Sequence, residues 1–135
     1  MRIFTRAGVL ALTSAAALAG SLLTSAPAQA ASSPIAACGG GKYHVIDRQP
    51  LGGATVYLLY NGTTNCVVTW RNKPSKKKVF LKAIIRRERQ NYVVDSGYFT
   101  TYAGPVKLKA KGYCVQWGGD YGKKKYTSKL EHCGK

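Results

Sequence analysis

The sequence predicts a small all-β domain, namely an antiparallel β barrel or sandwich of six to seven short strands held together by two disulfides. Two observations lead to this fold class. Short runs rich in β-branched and aromatic residues alternate with turn signals that contain glycine, proline or asparagine from residue 43 to residue 119. Four cysteines follow a segment with the pattern of an export signal, so we expect them to be oxidised in pairs.

The first 30 residues have the three-part pattern of a secretory signal peptide. Arg2 and Arg6 form a basic head, an alanine-rich apolar run follows as far as Leu23, and Ala28-Gln29-Ala30 is a small-residue cleavage site. We expect cleavage after Ala30, because the run is too rich in small residues and too close to the N-terminus for a membrane anchor. The mature chain is therefore predicted to be secreted and extracellular, with no transmembrane segment and no nuclear role.

The mature chain is expected to form one domain, with a flexible leader at residues 31–37 and a disulfide-stabilised β domain at residues 38–135. Without Arg2 and Arg6 it keeps 19 of the 21 basic side chains and all five acidic ones, a formal net charge of +14. Repulsion between these charges works against a compact state, and we expect the two disulfides to offset this destabilisation.

The first three strands are predicted between residues 43 and 70. YHVID (43–47) precedes a proline–glycine turn signal at residues 50–53, and ATVYLLY (54–60) is rich in β-branched and aromatic residues. ATVYLLY runs into Asn61-Gly62, a strong hairpin signal, which leads to CVVTW (66–70).

The segment VFLKAII (79–85) is predicted to be a strand. In a strand, Val79, Leu81, Ala83 and Ile85 form one wholly apolar face, whereas in a helix the apolar positions spread around more than half of the circumference. Short apolar runs are ambiguous between the two, but the β-branched content and the charged flanks favour the strand.

The remaining strands are predicted in the C-terminal third. NYVVDSGYFTTYAGPVKLKA (91–110) indicates two strands, broken near residues 95–97 and 103–105, and GYCVQWGG (112–119) indicates another. The last segment, KKKYTSKLEHCG (123–134), is interpreted as a tail that returns to Cys133.

The four cysteines allow three disulfide connectivities, of which we favour the sequential pairing Cys38–Cys66 and Cys114–Cys133. In the chain-entropy model, loops of this length stabilise the fold by about 3–4 kcal/mol each. A zinc site is the weaker alternative, because the sequence has no CxxC pair and exported thiols are oxidised. We expect no metal site and no cofactor.

Several blocks of the mature chain resemble the spore-associated protein A family, small exported proteins of Streptomyces and related actinomycetes. These blocks are ACGGGKYHVID (37–47), GGATVYLLYNGTTNCVVT (52–69), DSGYFTTYAGPV (95–106), KGYCVQWGG (111–119) and HCG (132–134). They follow one another along most of the mature chain and include all four cysteines. The resemblance implies secretion and association with spores or aerial hyphae, and it implies no catalytic activity or ligand.

The basic segments of the chain depart from the family pattern, which is near-neutral and polar where this chain reads RNKPSKKK, IIRRER and GKKKY. A shared scaffold need not mean a shared partner. Three clusters carry the excess charge, and we predict that they bind polyanions: Lys76, Lys77, Lys78, Arg86, Arg87, Arg89, Lys123, Lys124 and Lys125.

The expected partner is an anionic polymer of the cell wall or spore surface, with extracellular nucleic acid and anionic lipid as further candidates. If VFLKAII is a strand, the first two clusters lie at its two ends, about 25 Å apart, which suits a linear polyanion. The simpler interpretation is that the lysines are solvated loops that keep a secreted protein soluble. The sequence leaves the oligomeric state open.

Two alternative functions are weaker. A secreted basic ribonuclease would need an acid and a base around a phosphate, and the candidate groups are His44, His132, Glu88, Glu131, Arg86 and Arg87. No local catalytic motif supports this, so we expect no enzyme and assign no catalytic residue. A protease inhibitor with a loop around Pro74 would have a trypsin-like target, but no specific pattern indicates it.

Overall fold

Eight strands form two antiparallel sheets in the computed structural model, which describes residues 31–134. The first sheet has the order β1-β2-β3-β6 and the second has the order β5-β4-β7-β8. The elements are α1 (Pro34–Cys38), β1 (His44–Pro50), β2 (Ala54–Tyr60), β3 (Thr64–Arg71), β4 (Val79–Arg87), β5 (Val93–Phe99), β6 (Tyr102–Lys109), β7 (Val115–Tyr121) and β8 (Lys124–Thr127).

The predicted fold class is confirmed, with one more strand than the six to seven expected. The additional strand is β8, which lies in the segment interpreted as a tail. The residues predicted as a flexible leader, 31–37, contain most of the short helix α1. The predicted signal peptide, residues 1–30, lies outside the described residues. Within residues 31–134, no helix is both long enough and apolar enough to cross a bilayer.

The Asn61-Gly62 signal forms the predicted hairpin between β2 and β3. The Asn61 side-chain oxygen accepts hydrogen bonds from the backbone N–H groups of Thr63 and Thr64, at 3.1 and 2.8 Å. Gly62 has a φ of 107°, which side chains disfavour. The turn keeps β2 and β3 in continuous register from Tyr60↔Asn65 to Ala54↔Arg71.

β4 is a central strand of the second sheet, as its apolar face predicted. Leu81, Ala83 and Ile85 are fully buried, and Val79 is partly buried at the edge of the same core. The main core lies between the sheets, because these residues pack with Val56, Leu58 and Val67 of the first sheet and with Trp117 of β7.

A direct hydrogen bond joins the two sheets at Thr69. Its hydroxyl, on β3, donates a 2.7 Å hydrogen bond to the backbone carbonyl of Lys82 on β4. Gly119 on β7 lies beside this contact, and a Cβ added there would collide with the Thr69 hydroxyl and the Lys82 carbonyl. A glycine is therefore required where the two sheets approach each other.

Both disulfides have the predicted connectivity. Cys38–Cys66 attaches α1 to β3, over a second cluster of buried residues that includes Leu59 and Val68. Trp70 and Tyr102 pack against this cluster with their rings stacked, 4.7 Å between centroids. Cys114–Cys133 attaches the C-terminal segment to the residue that precedes β7.

Candidate functional site

Two of the three basic clusters lie at the same end of the second sheet, which we call the lysine end (Lys76–Lys78 and Lys123–Lys125). Lys78 directly precedes β4. The turn after β7, which leads into Lys123–Lys125, lies beside the start of β4, because the Gly122 N–H donates a 2.9 Å hydrogen bond to the Phe80 carbonyl. All six lysines are exposed. The loop that carries the first cluster is fixed by Arg71, whose guanidinium donates to the Lys77 carbonyl at 2.7 Å.

The third cluster lies at the opposite end of β4, which we call the arginine end (Arg86, Arg87 and Arg89). Arg86 and Arg87 pair with the start of β7, whereas the lysine end adjoins its last residue. A nine-residue strand separates the two ends by about 25 Å. The three basic clusters therefore lie in two groups, at opposite ends of β4.

At the arginine end, contacts hold the basic side chains themselves, whereas at the lysine end Arg71 holds only the backbone of one loop. Arg86 Nε donates a 2.7 Å hydrogen bond to the Gln116 side-chain oxygen, which also accepts a 2.7 Å bond from the Tyr92 hydroxyl. The Arg87 guanidinium lies 3.9 Å from the centre of the Tyr113 ring, and that ring is 45% exposed. Stacking on an aromatic ring fixes the guanidinium plane while leaving its N–H groups available to a ligand.

A surface cavity of about 420 Å³ lies at the arginine end, lined by residues 87–90, Gly112 and Tyr113. Glu88 belongs to this lining, but its carboxylate accepts a 3.2 Å hydrogen bond from the Cys114 backbone N–H. Arg89 has a left-handed backbone, with a φ of 65°, and its side chain is exposed. The cavity therefore has two arginines and one tyrosine on its wall.

No side-chain nitrogen of a lysine or arginine in residues 31–134 lies within 4.0 Å of a carboxylate oxygen; the ion pairs found there involve only His132. Four of the five carboxylates instead accept hydrogen bonds from neutral groups. Asp47, Glu88 and Asp95 accept from the backbone N–H groups of Arg48, Cys114 and Gly104, and Glu131 accepts from the Trp117 indole. The positive charge is therefore not neutralised by internal pairing, and it is available to an external anion.

The chain is 36% identical over 132 aligned residues to Spore-associated protein A of Streptomyces coelicolor, an alignment that covers 91% of this chain and 85% of the relative. The chain belongs to the spore-associated protein A family. No family model matches the sequence. No solved structure matches it either.

In this member of the spore-associated protein A family, the two histidines have different surroundings. His44 is exposed and contacts the backbone carbonyl of Lys42 through Nδ1, at 3.2 Å. His132 Nε2 instead lies 2.9 Å from Asp47 Oδ2 and 3.9 Å from Glu131 Oε1. Among the candidate ribonuclease residues, the histidine contacts in residues 31–134 join only one pair, Glu131 and His132.

Asp47, Glu131 and His132 form a carboxylate–imidazole cluster that the sequence reasoning missed. Asp47 and His132 are 85 residues apart, and no motif links them. The one available signal was the position of Glu131 and His132 directly before Cys133, since a disulfide there returns them to the fold. Burial raises the pKa of the neighbouring Tyr126 phenol above its usual value, and the negative charges of Glu131 and Asp47 raise it further.

A cavity of about 310 Å³ borders this cluster, lined by Ile46, Tyr60, Asn65, Ala110 and His132. Asn65 is only 4% exposed. Its amide nitrogen makes one long contact, 3.5 Å to the Leu59 carbonyl, and no donor in residues 31–134 reaches its amide oxygen. The cavity therefore has an apolar wall, a buried acceptor and an imidazole.

Proposed function

We propose that the protein is secreted and is held at the spore or cell surface, without catalysis, by anionic envelope polymers that contact its lysine and arginine ends. The observation that carries this proposal is that no lysine or arginine in residues 31–134 is paired with a carboxylate, in a mature chain of formal net charge +14. Two disulfides fit an oxidising extracellular location. The relative's name, Spore-associated protein A, is consistent with a role at the spore.

The two ends have different roles in this proposal. The exposed lysines supply a diffuse attraction that raises the local concentration of an anionic polymer. The arginine end supplies a defined contact, because Arg87 is already stacked on Tyr113 and Arg86 is already held by Gln116. Less side-chain entropy is lost when such groups bind a phosphate or carboxylate. A linear polymer can reach both ends, which are about 25 Å apart.

The proposal is tested by binding of the mature protein to isolated spores, to cell walls that contain teichoic acid, to DNA and to anionic vesicles. We expect release from spores or walls as NaCl is raised towards about 1 M, because salt screens such contacts. On a polymer of regular charge such as DNA, replacement of Lys76, Lys77 and Lys78 by glutamine lowers the slope of log affinity against log salt by about 3. The triple glutamine variants of the other two clusters test their contributions in the same way.

A matched control replaces Lys42, Lys109 and Lys129 by glutamine, because these exposed lysines lie in separate segments of the chain and the change in net charge is the same. We expect this variant to bind more strongly than each cluster variant. If the control variant lost as much affinity as the cluster variants, net charge alone would govern binding. Absence of binding to spores and walls, or binding unchanged at about 1 M salt, would contradict the proposal.

The non-catalytic part of the proposal has a separate test in an RNA zymogram. We expect no clearing by the wild-type protein. Clearing by the wild type that is lost in His132→Ala would show that the carboxylate–imidazole cluster is a hydrolytic site.

A further inference from the structure

We propose that Asp47, Glu131 and His132 bind one divalent transition-metal ion of the Zn²⁺ type at the edge of the cavity that His132 lines. This site is separate from the lysine and arginine ends and does not depend on the proposed polyanion binding. It also departs from the sequence expectation of no metal, which rested on the cysteines alone.

The three side chains already approach the geometry that such an ion requires. Bonds of 2.0–2.2 Å in a tetrahedral arrangement place neighbouring ligand atoms about 3.4 Å apart. His132 Nε2 lies 2.9 Å from Asp47 Oδ2 and 3.9 Å from Glu131 Oε1, and the three ligand atoms all lie within 4.8 Å of one another. Shifts of about half an ångström in the two contacts of His132 would bring them to this spacing.

The ligands are held on a rigid backbone. The Trp117 indole N–H donates a 2.8 Å hydrogen bond to Glu131 Oε1, which helps to orient the carboxylate. Glu131 also exchanges two backbone hydrogen bonds of 2.9 Å with Val115, and the Cys114–Cys133 disulfide fixes the residue after His132. Asp47 follows an irregularity in the β1–β2 register, so its position is set by a bulge in a paired strand.

A second, independent observation at the cavity points to a ligand. Asn65 lines the same cavity, is 4% exposed, and has an amide oxygen that no donor in residues 31–134 reaches. Buried acceptors are normally satisfied, so a donor such as water or a bound ligand is expected in the cavity. The charge distribution agrees, because two of the five carboxylates in a strongly basic chain meet at this one place.

The donor set favours late first-row metals over the hard cations. One imidazole nitrogen with two carboxylates suits Zn²⁺ and its neighbours, whereas Ca²⁺ and Mg²⁺ prefer all-oxygen sites. Three protein ligands leave a fourth position for water or a ligand in the cavity.

The experiment is a calorimetric titration of untagged, chelator-treated mature protein with ZnCl₂, in parallel with CaCl₂ and MgCl₂. We expect one Zn²⁺ per chain and no saturable binding of Ca²⁺ or Mg²⁺. Each of His132→Gln, Asp47→Asn and Glu131→Gln should weaken Zn²⁺ binding about 10-fold or more, since even a residue that only orients a ligand has an effect of this size. The two amide variants keep an oxygen that can accept the hydrogen bonds of Arg48 and Trp117.

His44→Gln is the matched control, because it removes the other histidine of the chain from an exposed position. We expect it to bind Zn²⁺ as the wild type does. Urea unfolding of every variant without metal identifies any that fail to fold, and the remaining variants then decide the result. Absence of Zn²⁺ binding by the wild type, equal binding by all three ligand variants, or loss of binding only in His44→Gln would overturn the proposal.

Discussion

Arg89 and His132 are the two non-glycine residues in residues 31–134 with a positive φ, at 65° and 56°. One belongs to the arginine end and the other to the carboxylate–imidazole cluster. Such conformations cost free energy and persist where the surrounding structure enforces them, often at functional sites. The strain therefore coincides with both of the sites proposed above.

At Arg89, the strain can be relieved without changing a packed side chain. The residue occupies the third position of a turn closed by the Gln90 N–H and the Arg87 carbonyl, at 3.0 Å. Glycine is favoured at this position when φ is positive. We expect Arg89→Gly to raise the free energy of unfolding by about 0.5–1 kcal/mol in urea titrations, while weakening binding to envelopes.

Gln90→Gly is the control for this prediction, because Gln90 does not have a positive φ and gains nothing from glycine. It should leave stability unchanged or lower it. An Arg89→Gly protein less stable than the wild type would show that the Arg89 side chain, and not its backbone, dominates at this position.

At the scale of the element, β7 depends on Gly119. A Cβ at this position would collide with the Lys82 carbonyl, which is backbone and cannot move independently of β4, and with the Thr69 hydroxyl. We therefore expect Gly119→Ala to lower the free energy of unfolding by about 3 kcal/mol, the upper part of the range for overpacked sites. Urea unfolding followed by circular dichroism measures this change.

Gly97→Ala in β5 is the matched control. Its nearest neighbour would be the ring of Phe99 at 3.1 Å, a side chain that can rotate, and its φ is not positive. The expected change is within about 1 kcal/mol. If the two alanine variants were equally stable, the close approach of the sheets at Gly119 would not be a structural requirement.

The elements were predictable where local pattern and burial agree. In β4, Leu81, Ala83 and Ile85 of the predicted apolar face are fully buried, although Ile84 on the other face is buried as well. The hairpin at Asn61-Gly62 forms as its turn chemistry indicates. β8 was not predicted, because the three consecutive lysines at 123–125 show no strand-like run of β-branched and aromatic residues. In the structure it is a four-residue edge strand whose Tyr126 packs on Trp117, while Lys124 and Lys125 face solvent. Lysines on an edge strand discourage pairing with other chains.

The sites were less predictable than the elements. The basic residues were identified from composition, but their grouping into two ends depends on the strand order β5-β4-β7-β8, which sequence did not provide. The stacking of Arg87 on Tyr113 and the contact between Asp47 and His132 depend on loops and a disulfide that join distant parts of the chain. No local pattern encodes such contacts.

At the scale of the whole molecule, stability should depend on salt in the direction opposite to that of a protein held by ion pairs. Residues 31–135 have a formal net charge of +14, and no lysine or arginine in residues 31–134 forms an ion pair with a carboxylate. Salt therefore screens mainly repulsion. We expect the melting temperature to rise by about 4–8 °C, equivalent to about 1 kcal/mol, as NaCl is raised from about 10 to about 150 mM.

The variant with all six lysines of the lysine end replaced by glutamine is the comparison for this effect. It has less repulsion to screen, so its melting temperature should start higher and rise less with salt. A melting temperature that falls with NaCl in the wild-type protein would indicate that attractive charge interactions outweigh repulsion.

The hydrogen bond between Trp117 and Glu131 gives the protein an intrinsic optical probe. Trp117 is the buried indole bonded to the carboxylate–imidazole cluster, whereas Trp70 is stacked on Tyr102 at the second cluster of buried residues. A protein with Trp70→Phe has Trp117 as its single tryptophan, located beside Glu131. Changes at the Glu131 carboxylate can then be followed by the intensity and lifetime of Trp117 emission, without an added label and separately from changes at the lysine and arginine ends.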